Sequence, residues 1–370
     1  MPELTVYFAT NRQPLTGADG QTIVDFGSEP GPVGGLSVRY GSVNVTVAAG
    51  DAKIVPGSLA VAPETLQGPP PFTPQLGSQT IFDALRREMI SGNRPTIVFV
   101  HGFSNSFTDA VSRAGTIIDF YGLDANIFAF SWPSRASPLP IPLPYDDYEH
   151  DRGTAAAAGP AMARTILRLY DYVESLAPAD RCRQKLHLLC HSMGNYALRN
   201  GLQALLRMPG LAATDPSTTG IPSGTPNPGI LRRTFDQIVL AAADEDEDAF
   251  DDANKMKYLP RLGNAVTVYY THRDWVLSTL SAVTKFNGPR LGTFGPDNMD
   301  SISDKVAAVD VSQVITVSED FQSHQYYRRD PTVRDDIVDV LSDKLPDQIA
   351  GRQSIVAGRW RLVGRNPPSA

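Results

Sequence analysis

The sequence predicts an α/β protein with a mostly parallel central sheet, helices on both faces and loop insertions. Three observations carry that expectation. Residues 96–100 are a short continuous apolar run with the character of a strand buried on both faces, and 127–132, 186–190, 235–241 and 265–271 read as further strands. Segments with apolar residues at helical spacing alternate with those runs after residue 95, the order that makes βαβ units. One run ends in Cys190-His191-Ser192-Met193-Gly194, a small-x-Ser-x-Gly turn that feeds straight into a helix.

Taken in order, residues 4–9 (LTVYFA) form a strand, followed by Asn11-Arg12 and a Gly/Pro-rich loop to Gly35. Residues 36–48 hold a second strand or a hairpin, from the alternation of Val43, Val45 and Val47. These two strands precede the first helix and should pair antiparallel at one edge of the sheet. Residues 62–77, rich in proline, are a loop, and Ile81, Leu85 and Met89 line one face of a helix over 81–90. The strand at 96–100 runs directly into His101-Gly102-Phe103, and a helix follows over 106–121. The strand at 127–132 leads into a proline-dense loop, with 133–150 expected as the lid or rim of a pocket. A long helix covers 151–177 through Met162, Ile166, Leu169, Val173 and Leu176, with Pro160 marking a kink or the true start.

The elbow strand and its helix (Leu198, Leu202, Leu205) come next, then a Gly/Pro/Ser/Thr insertion at 209–230, expected to be mobile. The strand at 235–241 ends in Asp244-Glu245-Asp246-Glu247-Asp248, and that at 265–271 ends at His272-Arg273-Asp274. Residues 311–317 read as the last sheet strand, with Ser323-His324-Gln325 beyond it. Asp330 N-caps a helix that starts at Pro331 and faces inward through Val333, Ile337 and Val340. In the C-terminal extension at 346–370, residues 354–363 add a strand and 364–370 read as disordered. There is no internal repeat and no linker between two cores, so a single domain spanning 1–370 is expected.

Composition narrows the function classes. A net charge of −7 leaves no basic footprint for nucleic acid or an anionic membrane. No apolar run approaches the length of a membrane span. The start has neither a basic n-region nor an apolar h-region, so a cytoplasmic location is expected. The two cysteines, Cys182 and Cys190, flank one strand and form neither a disulfide framework nor a metal cluster.

In an open α/β sheet ligands bind at the carboxyl ends of the strands, and the candidate polar residues collect there. Ser192 is the nucleophile candidate, although the same residue types also fit a serine N-cap on an ordinary helix. The turn demands small side chains two positions before and after the serine. Gly194 meets this, and Cys190 stands where glycine is usual. The backbone N–H groups of Met193 and Phe103 are the candidate oxyanion donors, with Gly102 permitting the sharp turn. Of six histidines, only His324 follows both the nucleophile and every acid candidate, the chain order Ser…acid…His. His187 sits inside the elbow strand, His101 and His191 in tight turns, His150 in a loop before the nucleophile. His272, two residues from an acid candidate, should pack at its strand end. Asp274 is favoured as the acid by its place after the second strand beyond the nucleophile. Asp244 and Asp246 stay open as rivals, with a solvated charge run or a helix cap as their plainer reading. The cluster lacks the glycine and ligand pattern of a calcium loop.

Several pieces then carry a family resemblance: TVYFATNR, YGSVNVTV, VFVHGFSNSF, FAFSWPS, YEHDRGTAAAA, LHLLCHSMGNYALR, IVLAAADEDEDAF, VYYTHRDWVL and SHQYY, from about residue 4 to 327. The sequence resembles an esterase-like bacterial branch of the α/β-hydrolase superfamily, a branch of undefined function. The elbow and HGF pieces are common to most α/β hydrolases. SWPS and Tyr148-x-x-Asp151-Arg152 are more specific. The resemblance implies the α/β-hydrolase fold, with Ser192 as nucleophile, Asp274 as acid, His324 as base, and Phe103 and Met193 as oxyanion donors. The proline-rich 134–144 and the insertion at 209–229 depart from the family and bear on the substrate pocket. The expected activity is cleavage of carboxylic esters through an acyl-enzyme, acting on a small-molecule ester or acyl substrate with no cofactor. Thioesterase, lactonase, amidase and acyltransferase activities are open on the same machinery, as is a non-catalytic binding role.

Overall fold

The computed structural model describes residues 3–32, 37–48, 50–65, 71–136, 145–208, 224–281, 289–315 and 321–364. Five parallel strands form the centre of the sheet: β7 (Thr96–Val100), β8 (Asn126–Ser131), β9 (Leu186–His191), β10 (Phe235–Ala241) and β11 (Gly263–Tyr270). Outside β11 lie β12 (Val306–Asp310) and the C-terminal hairpin β13 (Arg352–Val356) and β14 (Arg359–Leu362). Outside β8 lie β1 (Glu3–Thr10), β4 (Arg39–Ala48) and β5 (Asp51–Ile54). The order across the twelve-stranded sheet is β13-β14-β12-β11-β10-β9-β7-β8-β1-β4-β5, with β6 (Ala60–Val61) paired to β4.

Both faces are covered, which is why the central strands are apolar without alternation. Val100, Phe130, Leu188, Cys190, Leu240 and Val268 point to one face. There they meet helices α1 (Gly77–Ser91), α4 (Gly159–Ser175) and α5 (Met193–Leu206). Ile97, Phe99, Ile127, Leu189, Val239 and Ala241 point to the other, under α2 (Phe107–Tyr121) and the helix Pro331–Leu341. The caps obey local chemistry. Ser106 and Asp109 form a capping box at the start of α2, and the Asp330 carboxylate accepts from the N–H groups of Thr332 and Val333. Among the described residues no helix is long and apolar enough to cross a membrane.

The structure corrects several expectations. The Gly/Pro-rich stretch after Arg12 is not all loop: β2 (Arg12–Thr16) and β3 (Ile23–Pro30) pair antiparallel as a separate ribbon. The first strand does pair antiparallel with β4, from Glu3↔Thr46 to Thr10↔Arg39, but it is not at the edge, because it also runs parallel to β8. The helix expected over 151–177 is two helices, α3 (Tyr145–Ala157) and α4, and Pro160 sits in the first turn of the second. Tyr148 and His150 are therefore helical rather than in a loop, and 137–144 of the expected lid lie outside the described residues. Of the insertion at 209–230, 209–223 lie outside them too, and Pro228–Ile230 is a 3₁₀ turn. The last central strand is β12, not 311–317. The Asp310 side chain accepts from the Ser312 N–H and turns the chain out of the sheet. Residues 354–363 contribute to two strands, and β14 runs parallel beside β12.

Buried histidines make the fold sensitive to acid, His187 among them. The His187 imidazole, 1 % exposed inside β9, has its pKa lowered to about 4 by burial, against the opposing pull of Asp236 and Asp343. Unfolded it titrates at its ordinary value of 6.5, so between those two values the unfolded chain binds more protons. Its contribution is complete above the unfolded value and is lost as the pH falls toward the folded one, reaching roughly 3 kcal/mol. Urea midpoints should therefore drop between pH 6.5 and 4.5, and His187→Gln should flatten that slope. An unchanged slope in the variant would remove His187 as the cause.

Candidate active site

Ser192 sits between β9 and α5 with φ 53° and ψ −127°, a conformation that side-chain-bearing residues rarely adopt. Its backbone is held on all sides. Its N–H donates to the Ala241 carbonyl at 3.0 Å, and its own carbonyl accepts from the Asp244 N–H and the Asn195 amide. The small residue two positions on is required by contact: a Cβ on Gly194 would lie 2.5 Å from the His101 carbonyl oxygen and 2.6 Å from that of Val100. A Cβ on Gly102 would meet the Ser192 Cβ at 2.8 Å, so the turn after β7 closes directly onto the serine. Cys190 is fully buried in the apolar face, and burial pushes its thiol far up, away from nucleophilic use.

The structure brings His324 and Asp274 together. Nδ1 of His324 lies 2.8 Å from Asp274 Oδ2, with both side chains buried, and Asp274 Oδ1 accepts from the Leu277 N–H. The same His324 packs on the residue next to the serine: His191 and His324 ring centroids are 4.7 Å apart, and His191 Nε2 donates to the His324 carbonyl at 3.0 Å. With Nδ1–H given to the carboxylate, Nε2 of His324 is left as the basic nitrogen. Among the described residues the N–H groups of Met193 and Phe103 have no hydrogen-bond acceptor. Phe103 also places its ring edge-on to Tyr148 at 5.7 Å.

His101 and His191 have structural partners. His101 stacks on Trp132 at 5.0 Å. Its Nε2 accepts from the Trp132 N–H, so Nδ1 carries the proton and donates to the Gly102 carbonyl. Burial holds both His101 and His191 well below the ordinary histidine pKa, with Arg12 adding to the first and His324 to the second. His272, expected to pack at its strand end, is exposed.

The acidic run after β10 is neither a solvated face nor a helix cap, which corrects that expectation. No helix follows it, and Asp244 and Glu245 are each 1 % exposed. Asp244 Oδ2 accepts from the Tyr148 hydroxyl at 2.5 Å, Glu245 pairs with Arg199 at 3.2 Å, and Asp246 pairs with Arg290 and Lys255. Packing of α3 and α5 over this loop supplied partners that the run itself does not reveal.

A second network, not anticipated as such, fixes the turn that carries Phe103. The Arg12 guanidinium is 1 % exposed and donates to Ser131 Oγ and to the carbonyls of Gly27, Ser134 and Asn105. Burial pulls its pKa down to about 9, with Asp151 opposing. The Asn105 side chain donates to the carbonyls of Gly102 and Phe103, while its own N–H donates to Ser134 Oγ. Ser134 Oγ in turn donates to Asp151, which also accepts from the N–H of Ser104, itself at φ 56°. The signal in the sequence was the presence of ATNR, SWPS and YEHDR among the resembling pieces. Arg12→Met would leave four acceptors, three of them buried, without their donor. It should cost about 3–5 kcal/mol of stability, read as a fall in the urea midpoint. A change below about 1 kcal/mol would remove Arg12 from this role.

The arrangement matches a family model described as alpha/beta hydrolase of unknown function (DUF900) over residues 80–342. The chain belongs to that family. It is an α/β hydrolase by fold, and Ser192, Asp274 and His324 all fall within the matched span. Two solved structures of phospholipase PlaB from Legionella pneumophila are also similar. The one in complex with thio-NAD is 14% identical, covering 63% of this chain and 41% of that chain at a TM-score of 0.21. The other is 13% identical, covering 65% and 42% at a TM-score of 0.21. This chain thus spans about two-fifths of those phospholipase chains, and at that TM-score neither match informs its chemistry. No curated protein matches the sequence.

Proposed function

We propose that the chain is a serine hydrolase that cleaves carboxylic esters through an acyl-enzyme. The observation that carries the reading is Ser192, held at positive φ on the strand-to-helix turn, with the paired His324 and Asp274 packed against its neighbour His191. His324 Nε2 accepts the Ser192 proton as Oγ attacks the ester carbonyl. The N–H groups of Met193 and Phe103 stabilise the oxyanion, and the protonated imidazole is stabilised by Asp274. Collapse of the tetrahedral species expels the alcohol, which takes the proton from His324. Water then repeats the sequence to release the acid. The mechanism calls for no cofactor or metal.

Fluorophosphonate labelling tests the nucleophile, because the probe bonds to an activated serine. Stoichiometric adduct formation at Ser192 is expected, and its absence in folded protein would overturn the assignment. A parallel panel of ester, thioester, lactone and amide substrates, with and without an alcohol acceptor, separates hydrolysis of esters from the neighbouring chemistries. Ester hydrolysis is expected to dominate.

A further inference from the structure

A cavity of about 560 Å³ opens on the sheet away from Ser192. Its floor is Val98 of β7, Phe128 of β8 and Leu186 and Leu188 of β9, and α4 walls it with Ile166 and Leu169. Val98 shows the consequence: it is only half-buried in the middle of a central strand whose other four residues are buried. A central parallel strand under a close-packed helix layer would not leave such a residue accessible. The volume lies within the range of small-molecule sites.

The cavity lies beneath the candidate active site, not in it. On β9 its lining ends at Leu188, four residues before Ser192, or about 13 Å along a strand, while on β7 it reaches Val100, three residues before Phe103. Ser192, Phe103, Asp274 and His324 are not among its lining residues. The mouth lies at the amino ends of the strands and carries Arg86, Arg181, Arg232 and Arg233 against Glu174 and Asp236. Both acids are engaged: Glu174 with Arg232, and Asp236 with the Leu186 N–H and the Asn264 amide. Arg181 and Arg233 are exposed and, among the described residues, are in no ion pair. The site therefore joins an apolar bore to a cationic rim.

We propose that this cavity is a second, non-catalytic site for a long-chain fatty acid, the chain lying in the bore and the carboxylate at the Arg181–Arg233 rim. The assignment does not depend on the role of Ser192. Burial of each added methylene is worth a factor of about three to four in affinity, so palmitate should bind far more tightly than laurate. The rim should favour palmitate over uncharged hexadecanol.

Cys182 reports occupancy. It lines the cavity and is half-buried, while Cys190, the other cysteine, is 0 % exposed. The experiment follows alkylation of Cys182 by a small maleimide in the native protein as palmitate, laurate or hexadecanol is added. Palmitate should slow alkylation saturably at one equivalent per chain, laurate much less. Val98→Phe, which fills the bore, should abolish protection. Should that variant not fold, the surface pair Arg181→Gln/Arg233→Gln decides alone, with palmitate affinity roughly tenfold weaker and hexadecanol unchanged. Alkylation indifferent to palmitate, or parent-like palmitate affinity in the arginine pair, would each overturn the proposal.

Discussion

Ser192→Ala should abolish ester hydrolysis and fluorophosphonate labelling while leaving the fold intact. Turnover should fall by on the order of 10⁵–10⁶, the loss seen when a triad nucleophile is removed elsewhere. The fold should tolerate it because alanine keeps the Cβ and loses only a hydroxyl, and the contacts that fix residue 192 are made by its backbone. A second substitution sharpens the test. Positive φ at a non-glycine residue stores about 1–3 kcal/mol, and at φ 53°, ψ −127° glycine relieves it. Ser192→Gly should therefore be equally inactive yet melt at a higher temperature than Ser192→Ala. On the proposed reading the strain serves the geometry of the hydroxyl, not packing. Labelling retained in either variant would move the nucleophile elsewhere. A lower melting temperature for the glycine variant would remove the strain argument and leave the nucleophile standing.

Asp274→Asn should lower turnover by about 10⁴, with the melting temperature little changed. The carboxylate lies 2.8 Å from His324 Nδ1 and sets which imidazole nitrogen is left basic. An amide can present its N–H₂ to that nitrogen and hold the wrong tautomer. Asp244→Asn and Asp246→Asn should cost far less activity, since these carboxylates serve Tyr148 and the Arg290–Lys255 pair. Their effect should appear in stability, most clearly for Asp246, whose loss leaves the buried Arg290 short of a countercharge. The opposite ranking, Asp246→Asn crippling and Asp274→Asn mild, would overturn the acid assignment without touching the fold.

How much of this was legible in the sequence follows from what kind of signal each feature leaves. The central strands were legible because a strand buried on both faces must be apolar throughout, as at Thr96–Val100. The elbow was legible because its small-x-Ser-x-Gly pattern is written within five residues, although the backbone that excludes a side chain at Gly194, the carbonyls of Val100 and His101, comes from the neighbouring strand β7. Asp330-Pro331 was legible because capping is settled within four residues. The order Ser…acid…His singled out His324 as the candidate base without any coordinates.

Tertiary structure decided the remainder, where partners come from far along the chain. The sequence reads 311–317 as the last central strand, but the sheet takes 306–310 instead. The turn at Asp310 decides this. The acidic run after β10 reads as surface charge until Tyr148, Arg199 and Arg290 arrive from other elements and bury it. Arg12 reads as the start of a loop. It becomes a buried cation only when residues 105, 131 and 134 converge on it, across more than ninety positions of sequence. Periodicity and turn chemistry act over a few residues and therefore survive in the sequence. The pairing of charges and the carboxylate given to His324 depend on which loops the sheet order makes neighbours, and that order exists only in the folded chain.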